Sequence, residues 1–269
     1  FGRFAGIVGC FNTLNLFLHH NKFLPLGRAY KINNYERIKN ILKKIIFPKM
    51  KLLVTGDGRV AKGVIELLNE TNIKQVSKDD FLKSKIESPI FCNLQTKDYV
   101  IHNEKKNFDL LHFIKFPKEY SSCVMPYLKE SNVYISAHYW EPGSPKIFNK
   151  DQLKEIDKLK IIGDITCDVD GSVPTTIKST TIENPYFYLD KKTFKEDEDE
   201  KDNIAIMAVD NLPSELPRDS SFEFGNGIVR HVLPFLINKD DGRIFNATIT
   251  KQGHFLDKYN YLDNYINSI

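Results

Sequence analysis

Lys51-Leu52-Leu53-Val54-Thr55-Gly56-Asp57-Gly58-Arg59-Val60-Ala61-Lys62-Gly63 is the stretch that decides the fold of this chain. Lys51 to Thr55 is a short apolar run of the kind that forms a buried parallel strand. It feeds directly into glycines, after which Val60, Val64, Leu67 and Leu68 keep helical spacing to about Asn69. A strand, a glycine turn and a helix, in that order, give the pattern G-x-G-x-x-A the context in which it holds a dinucleotide. Gly56 permits the tight turn, Gly58 lets the backbone approach a pyrophosphate, and the small Ala61 lets helix and strand pack closely. The helix N-terminus adds partial positive charge, Arg59 stands where it can add a full one, and Val60 follows in the same turn.

Outward from this unit, further strands are expected at Ile73 to Val76, Pro89 to Leu94, Val133 to Ala137, Lys160 to Ile165 and Ala205 to Val209. Tyr120 to Lys129 reads as a helix. Strands alternating with helices predict an α/β fold, a Rossmann-type doubly wound sheet that is mainly parallel. Asp168 to Glu183, rich in Asp, Ser, Thr, Gly and Pro, is expected to be an irregular segment leaving a strand end. Lys195 to Asp202, a run of acids and lysines with no apolar residue, reads as a solvated loop.

Upstream, Phe4, Ile7, Val8, Phe11, Leu14 and Leu18 mark one face of a helix from Arg3 to His20. Gly2, Gly6 and Gly9 lie near one another on it. Each costs about 1 kcal/mol relative to Ala inside a helix, so another backbone is expected to approach there. Tyr35 to Ile46 reads as a second, basic amphipathic helix that Pro48 terminates. Downstream, Ser220 to Ile237 carries Phe224, Ile228, Val232 and Phe235 at helical spacing, and residues from Ala247 onward suit a strand and a short helix. The expected organisation is therefore an inter-domain and connecting helix over 1–47, a dinucleotide-binding domain over 48–217, and a return helix with a C-terminal segment over 218–269. The chain starts at Phe1, which reads as an opening in the middle of a longer protein.

In open α/β sheets ligands bind beyond the carboxyl ends of the strands. Those ends carry Cys92-Asn93, Ala137-His138-Tyr139-Trp140, Asp164 to Asp168, and Val209-Asp210-Asn211-Leu212. The ribose of a dinucleotide is usually read about 20 residues after the glycines, at the end of the second strand. There the sequence runs Val76-Ser77-Lys78-Asp79-Asp80. Ser77 and Lys78 first in line would favour NADP; Asp79 or Asp80 there would favour NAD. The reading inclines to NADP, with Ser77 as the cofactor-binding residue.

The 269 residues are 41% hydrophobic and 27% charged, with a formal net charge of +3. Lysines are interspersed with acids, so no basic stripe calls for nucleic acid. No run reaches the roughly 18 apolar residues of a membrane helix, so no membrane partner is expected. Cys10, Cys92, Cys123 and Cys167 form no CxxC pair, so neither a zinc site nor a disulfide framework is suggested, and a cytoplasmic location fits.

Three further stretches carry a family resemblance. Gly163-Asp164-Ile165-Thr166-Cys167-Asp168, Thr180-Thr181-Ile182-Glu183-Asn184-Pro185 and Val209-Asp210-Asn211-Leu212-Pro213-Ser214-Glu215-Leu216-Pro217 resemble the second half of lysine-forming saccharopine dehydrogenases. Phe1 to Gly9, Thr55 to Gly63 and Tyr139-Trp140-Glu141 resemble the lysine–oxoglutarate reductase portion of the bifunctional lysine-degrading enzymes. The resemblance implies the fold of alanine dehydrogenase and transhydrogenase, two Rossmann-like domains joined by long helices, the second of them largely absent from this chain. It also implies an NAD(P)-dependent oxidoreductase of CH-NH bonds that interconverts saccharopine with L-lysine and 2-oxoglutarate. Small-molecule amino acid and 2-oxo acid substrates, and the N-terminal domain of the same protein, are the implied partners; homo-oligomerisation is left open. The principal catalytic lysine and histidine belong to that N-terminal domain, so only Asp210 is given a supporting catalytic role here. Gly58, Arg59, Tyr139 and Ile165 match positions that line the cofactor, and Val209, Asp210 and Leu212 join them; no metal is implied. The alternatives are an alanine-dehydrogenase-like or other opine-type enzyme, and a non-catalytic dinucleotide-binding module.

Overall fold

In a computed structural model, which describes residues 1–83, 85, 87–198 and 203–266, the chain divides into two compact units, Phe1–Ser220 and Ser221–Ile269. The first is built on an eight-stranded sheet. We number its strands β1 (Lys51–Thr55), β2 (Lys74–Gln75), β3 (Ile90–Leu94), β4 (Val133–Ser136), β5 (Ile161–Asp164), β6 (Tyr186–Leu189), β7 (Glu196–Asp197) and β8 (Ile204–Met207). Their order across the sheet is β2-β3-β1-β4-β5-β8-β6-β7. All neighbours from β2 to β8 in that order pair in parallel, and at the far edge β6 pairs antiparallel with β8 and β7 antiparallel with β6. The mainly parallel α/β sheet is the one the sequence predicts.

Every residue of β1 is buried, as expected of a strand covered on both faces. Alternate residues feed two cores. Leu52 and Val54 join Val133, Ile135, Ile161 and Ala205 under the helices Gly2–His20 (α1), Tyr35–Leu42 (α2) and Arg59–Leu68 (α3). Leu53 joins Cys92, Tyr134, Ile162 and Ile206 on the opposite face, with Phe81, Leu128 and Leu153. At about 1.5–3 kcal/mol for each large apolar side chain removed from water, these two layers are the main favourable contribution to folding.

The glycines of α1 have the neighbour their cost demands. A Cβ on Gly6 would sit 2.0 Å from the Val60 carbonyl oxygen, and one on Gly63 would sit 2.1 Å from that of Arg3. The two helices therefore meet backbone to backbone. Their contact is also tied by Arg3, which donates to both oxygens of Glu66 at 2.6 Å, and by the Tyr35 hydroxyl, which donates to the same carboxylate at 2.6 Å.

Several elements differ from the sequence expectation. Tyr120 to Lys129 is not one helix: Tyr120–Ser122 is a strand paired antiparallel with Val100–His102, and the helix is Met125–Glu130. The Tyr120 ring packs against His102, Phe108 and Phe113, and that aromatic cluster overrides the local helical pattern. Within the expected solvated loop Lys195 to Asp202, Glu196–Asp197 forms β7 against Tyr188 and Leu189, while residues 199–202 lie outside the described residues. The closing helix Ser220 to Ile237 is two helices, Pro217–His231 and Leu233–Ile237. Pro234 falls in the first turn of the second, where its missing N–H and ring are tolerated as they would not be in a helix interior.

The second unit holds the Leu233–Ile237 and Arg243–Ala247 helices and a ribbon of Thr250–Lys251 with His254–Phe255. The Arg243 guanidinium lies over the Phe235 ring at 3.6 Å, and Asp240 accepts from the Ile244 and Phe245 backbone. None of its described residues is buried, and Phe222, Val229, Leu236, Ile237 and Phe245 are all more than half exposed.

Candidate dinucleotide-binding site

Because β1, β4, β5 and β8 are successive parallel neighbours, their carboxyl ends form a row about 14 Å long, at about 4.8 Å per strand. Gly56, the Ala137-His138-Tyr139 segment, Ile165 and Val209-Asp210 stand along it. Gly56 has φ +129°, and a Cβ there would lie 2.4 Å from the Ala137 oxygen, so only glycine fits the turn. Gly58 is the N-cap of α3 at φ −81°, and a Cβ on it would meet nothing within 4 Å. The backbone there faces open space at a helix N-terminus, which is the cradle a pyrophosphate requires. Arg59 is exposed beside it and Val60 is half-buried.

The other expected cofactor residues present different surfaces. Tyr139 is 85% exposed, its hydroxyl donating to Glu141 at 3.4 Å, so its ring is available to a ligand. Asp210 is exposed as well. Ile165 and Leu212, by contrast, turn their side chains onto Gly9 of α1: a Cβ on Gly9 would lie 2.6 Å from Ile165 and 3.1 Å from Leu212. Val209 is buried and bridges to Thr180. These three offer the row backbone, not side chain.

Ser77 is not brought into this group. It follows β2, which is separated from β1 by β3. Its hydroxyl donates to Asp80 at 2.7 Å, and Lys78 pairs with Asp98 at 2.5 Å. Both side chains first in line for a 2′-phosphate are thus already partnered.

Beneath the row lies a buried network that local sequence gives no sign of. Thr55 Oγ1 shares hydrogen bonds with the Tyr134 hydroxyl at 2.8 Å and with His138 Nδ1 at 2.9 Å, and the His138 ring packs on Tyr99. Burial pushes the His138 imidazole down to about 4, so the ring is neutral at physiological pH. Next along the row, the buried Asp164 accepts from the Thr166 hydroxyl at 2.6 Å and the Thr176 hydroxyl at 2.5 Å, pinning the irregular segment that leaves β5. Burial raises the Cys167 thiol to about 11, with the charges of Asp164, Asp168 and Asp210 adding to the shift, so Cys167 stays protonated at physiological pH. These partners are 79 and 83 residues apart for Thr55, and only the pairing of β1 with β4 joins them.

Among the described residues, His102, His112 and Glu119 place ligand-type atoms within 4.8 Å of one another. The Glu104 backbone N–H donates to His102 Nδ1 at 3.1 Å, so the proton of the neutral ring sits on Nε2, which faces Glu119 at 3.4 Å. In that tautomer Nε2 has no lone pair for a cation, and the group is a histidine–carboxylate pair. No helix among the described residues is long and apolar enough to cross a membrane.

The family described as alanine dehydrogenase/PNT, C-terminal domain, matches residues 100–258. The chain is 26% identical to the mouse (Mus musculus) mitochondrial alpha-aminoadipic semialdehyde synthase over 97% of its length, covering 34% of that protein. It is 25% identical to the Arabidopsis thaliana alpha-aminoadipic semialdehyde synthase, again over 97% of this chain and 29% of the relative. An alanine dehydrogenase from Staphylococcus epidermidis is 27% identical over 48% of this chain and 36% of its own. The chain thus spans about a third of the length of the curated relatives it matches.

Proposed function

Because the chain belongs to the alanine dehydrogenase/PNT C-terminal domain family, we propose that it is the nicotinamide-dinucleotide-binding part of an oxidoreductase that interconverts saccharopine with L-lysine and 2-oxoglutarate. The observation that carries this reading is Gly58: a glycine with open space at its α-carbon, at the N-terminus of α3, in the row where four parallel strands end. The bound dinucleotide would supply the hydride chemistry. The protein's own groups do the holding. Gly56 makes the turn, the backbone of Gly58, Arg59 and Val60 with the Arg59 guanidinium takes the pyrophosphate, and the Tyr139 ring covers the centre of the row. The backbone of Ile165, Val209 and Leu212 forms the floor at the far end. Asp210, at that end, holds the nicotinamide half and acts on the neighbouring catalytic groups by its charge.

The lysine–oxoglutarate assignment is supported by the matches over 97% of this chain to relatives named alpha-aminoadipic semialdehyde synthase. The principal proton-transfer residues and most of the grip on the amino acid and 2-oxo acid are assigned to an N-terminal domain of the same protein. We assign 1–47 to the helices joining the two domains, 48–217 to dinucleotide binding and 218–269 to completing the N-terminal domain, whose surface would cover the exposed Phe222, Leu236 and Ile237. A cytoplasmic location rests on four free thiols, which suit any reducing compartment, including that of the mitochondrial mouse relative. The alanine dehydrogenase match favours a second reading, an enzyme of the same reaction class with a smaller amino acid substrate.

The test is NADPH and NADH oxidation by the full-length protein with 2-oxoglutarate and lysine, against pyruvate and ammonia. Lysine-dependent turnover is expected. Turnover with pyruvate and ammonia alone would replace the substrate while keeping the reaction class.

A further inference from the structure

We infer that the adenosine ribose of the dinucleotide is read by Gln95 and Thr96, which leave β3, and not by Ser77 at the end of β2; the inference rests on the dinucleotide reading above. In a fold of this kind the ribose is held by the strand that lies directly beside the glycine-loop strand, because the adenosine extends sideways from the pyrophosphate by about one strand spacing. In the usual order that neighbour is the second strand of the chain. Here it is the third: β3 pairs with β1 residue for residue, Lys51 with Ile90 through Thr55 with Leu94. β2 lies outside β3, two spacings from β1, or about 10 Å.

Register separates the two candidates further. Gln75 is paired with Phe91, so Ser77 comes level with Asn93 and stops short of the end of β1. Gln95 comes level with Gly56. The end of β3 is also stitched to the glycine loop, since the Gly56 N–H donates to the Leu94 oxygen at 2.9 Å and the Asn93 amide donates to the Gly56 oxygen at 2.9 Å. Whatever is bound by the loop therefore has Gln95 and the half-buried Thr96 as its lateral neighbours.

The charge around Gln95 and Thr96 sets what they accept. Asp98 is committed on both sides, to Lys78 at 2.5 Å and to the Gln95 N–H at 2.9 Å. Lys97 and Asp57 are exposed, one on each flank. The position usually held by a ribose-binding carboxylate is thus filled by a neutral amide and a hydroxyl; the Gln95 oxygen accepts from the Asp98 N–H and the Thr96 hydroxyl bonds Tyr99, which leaves the Gln95 NH2 to donate to a 2′-hydroxyl or a 2′-phosphate without repelling it.

The test is titration of NADH and NADPH, followed by nucleotide fluorescence, onto the protein and three variants. Gln95→Glu keeps an oxygen to cap the helix Thr96–Tyr99, so an unchanged melting temperature is expected, whereas Ser77→Asp keeps the cap on Lys78–Lys83 but sets a second carboxylate beside the exposed Asp80, so a small drop is expected. Gln95→Glu should lower NADPH affinity relative to NADH by about tenfold or more, and Gln95→Lys should raise it by a similar factor. Ser77→Asp should leave the ratio within about twofold. A ratio that follows Ser77→Asp and ignores both Gln95 variants would return the ribose to β2 and overturn the inference. A protein that binds neither nucleotide would sink the dinucleotide reading itself, a result distinguishable because no ratio could then be measured.

Discussion

His138 Nδ1 lies 2.9 Å from Thr55 Oγ1, joining the last residue of β1 to the segment that leaves β4 directly beneath the glycine loop. The Gly56 turn sits on this junction, since the same segment's Ala137 oxygen and His138 nitrogen are what a Cβ on Gly56 would strike. The floor of the site is therefore built by two strands at once, and its stability can be tested apart from its binding.

The imidazole gives the first prediction. Its value of about 4 in the folded chain lies below the ordinary 6.5, so the unfolded chain binds the proton first as pH falls. Stability should be fully present above about pH 6.5, decline through the window down to about 4, and then level off, losing at most about 3 kcal/mol. His138→Asn should flatten that limb in urea denaturation measured against pH. An unaltered slope in the variant would show that some other group titrates there.

The two loop glycines should separate folding from binding. Gly56→Ala forces a side chain into the Ala137 carbonyl at a φ that only glycine accepts comfortably, and should cost about 2–4 kcal/mol in thermal or chemical denaturation. Gly58→Ala meets no protein atom and should change stability by less than about 1 kcal/mol. Its methyl group fills the cradle instead, so dinucleotide affinity should fall about tenfold or more. Tight NADPH binding by the Gly58→Ala protein would mean the pyrophosphate lies elsewhere.

Thr176→Val should loosen the segment that follows β5. The change removes a hydroxyl donor from Asp164 and leaves a buried carboxylate short of a partner, at a cost of about 1–3 kcal/mol. Limited proteolysis should then cut between Asp168 and Glu183 faster than in the parent chain. Equal cleavage rates would show that the bond from Thr176 is not what holds the segment.

Asp210→Asn tests the role proposed for that residue. The residue is exposed, so the fold should be indifferent, and in the full-length protein kcat should fall about tenfold to a hundredfold while KM for the nucleotide rises. A variant with unaltered kcat would remove Asp210 from the supporting role.

How far the sequence reaches can be judged from particular elements. The strand Lys51–Thr55 is legible because it is a continuous apolar run that leads straight into a glycine turn, and the helix after it is legible because it keeps helical period over about ten residues. The close approach at Gly6 is legible too, since three glycines in a helix are unfavourable unless something fills the space. Tyr120–Ser122 is misread as helix because three residues carry too little pattern to compete with the helical spacing that follows. Glu196–Asp197 goes unrecognised because two acidic residues carry no strand pattern, and Tyr186–Leu189, though aromatic and four residues long, goes unrecognised directly after the turn residues Glu183-Asn184-Pro185.

The sequence by itself determined that a glycine turn joins a buried strand to an amphipathic helix, and that polar residues follow several other strands. Those are local facts, set by side-chain volume, φ preference and period. Only the tertiary structure decided which strand lies beside which. That choice moved the neighbour of the glycine loop from Ser77 to Gln95, turned Ile165 and Leu212 inward onto Gly9, and brought His138 under Thr55. Strand order is settled by the burial of whole faces against α1 and α3, summed over residues far apart in the chain, and no window of sequence contains that sum.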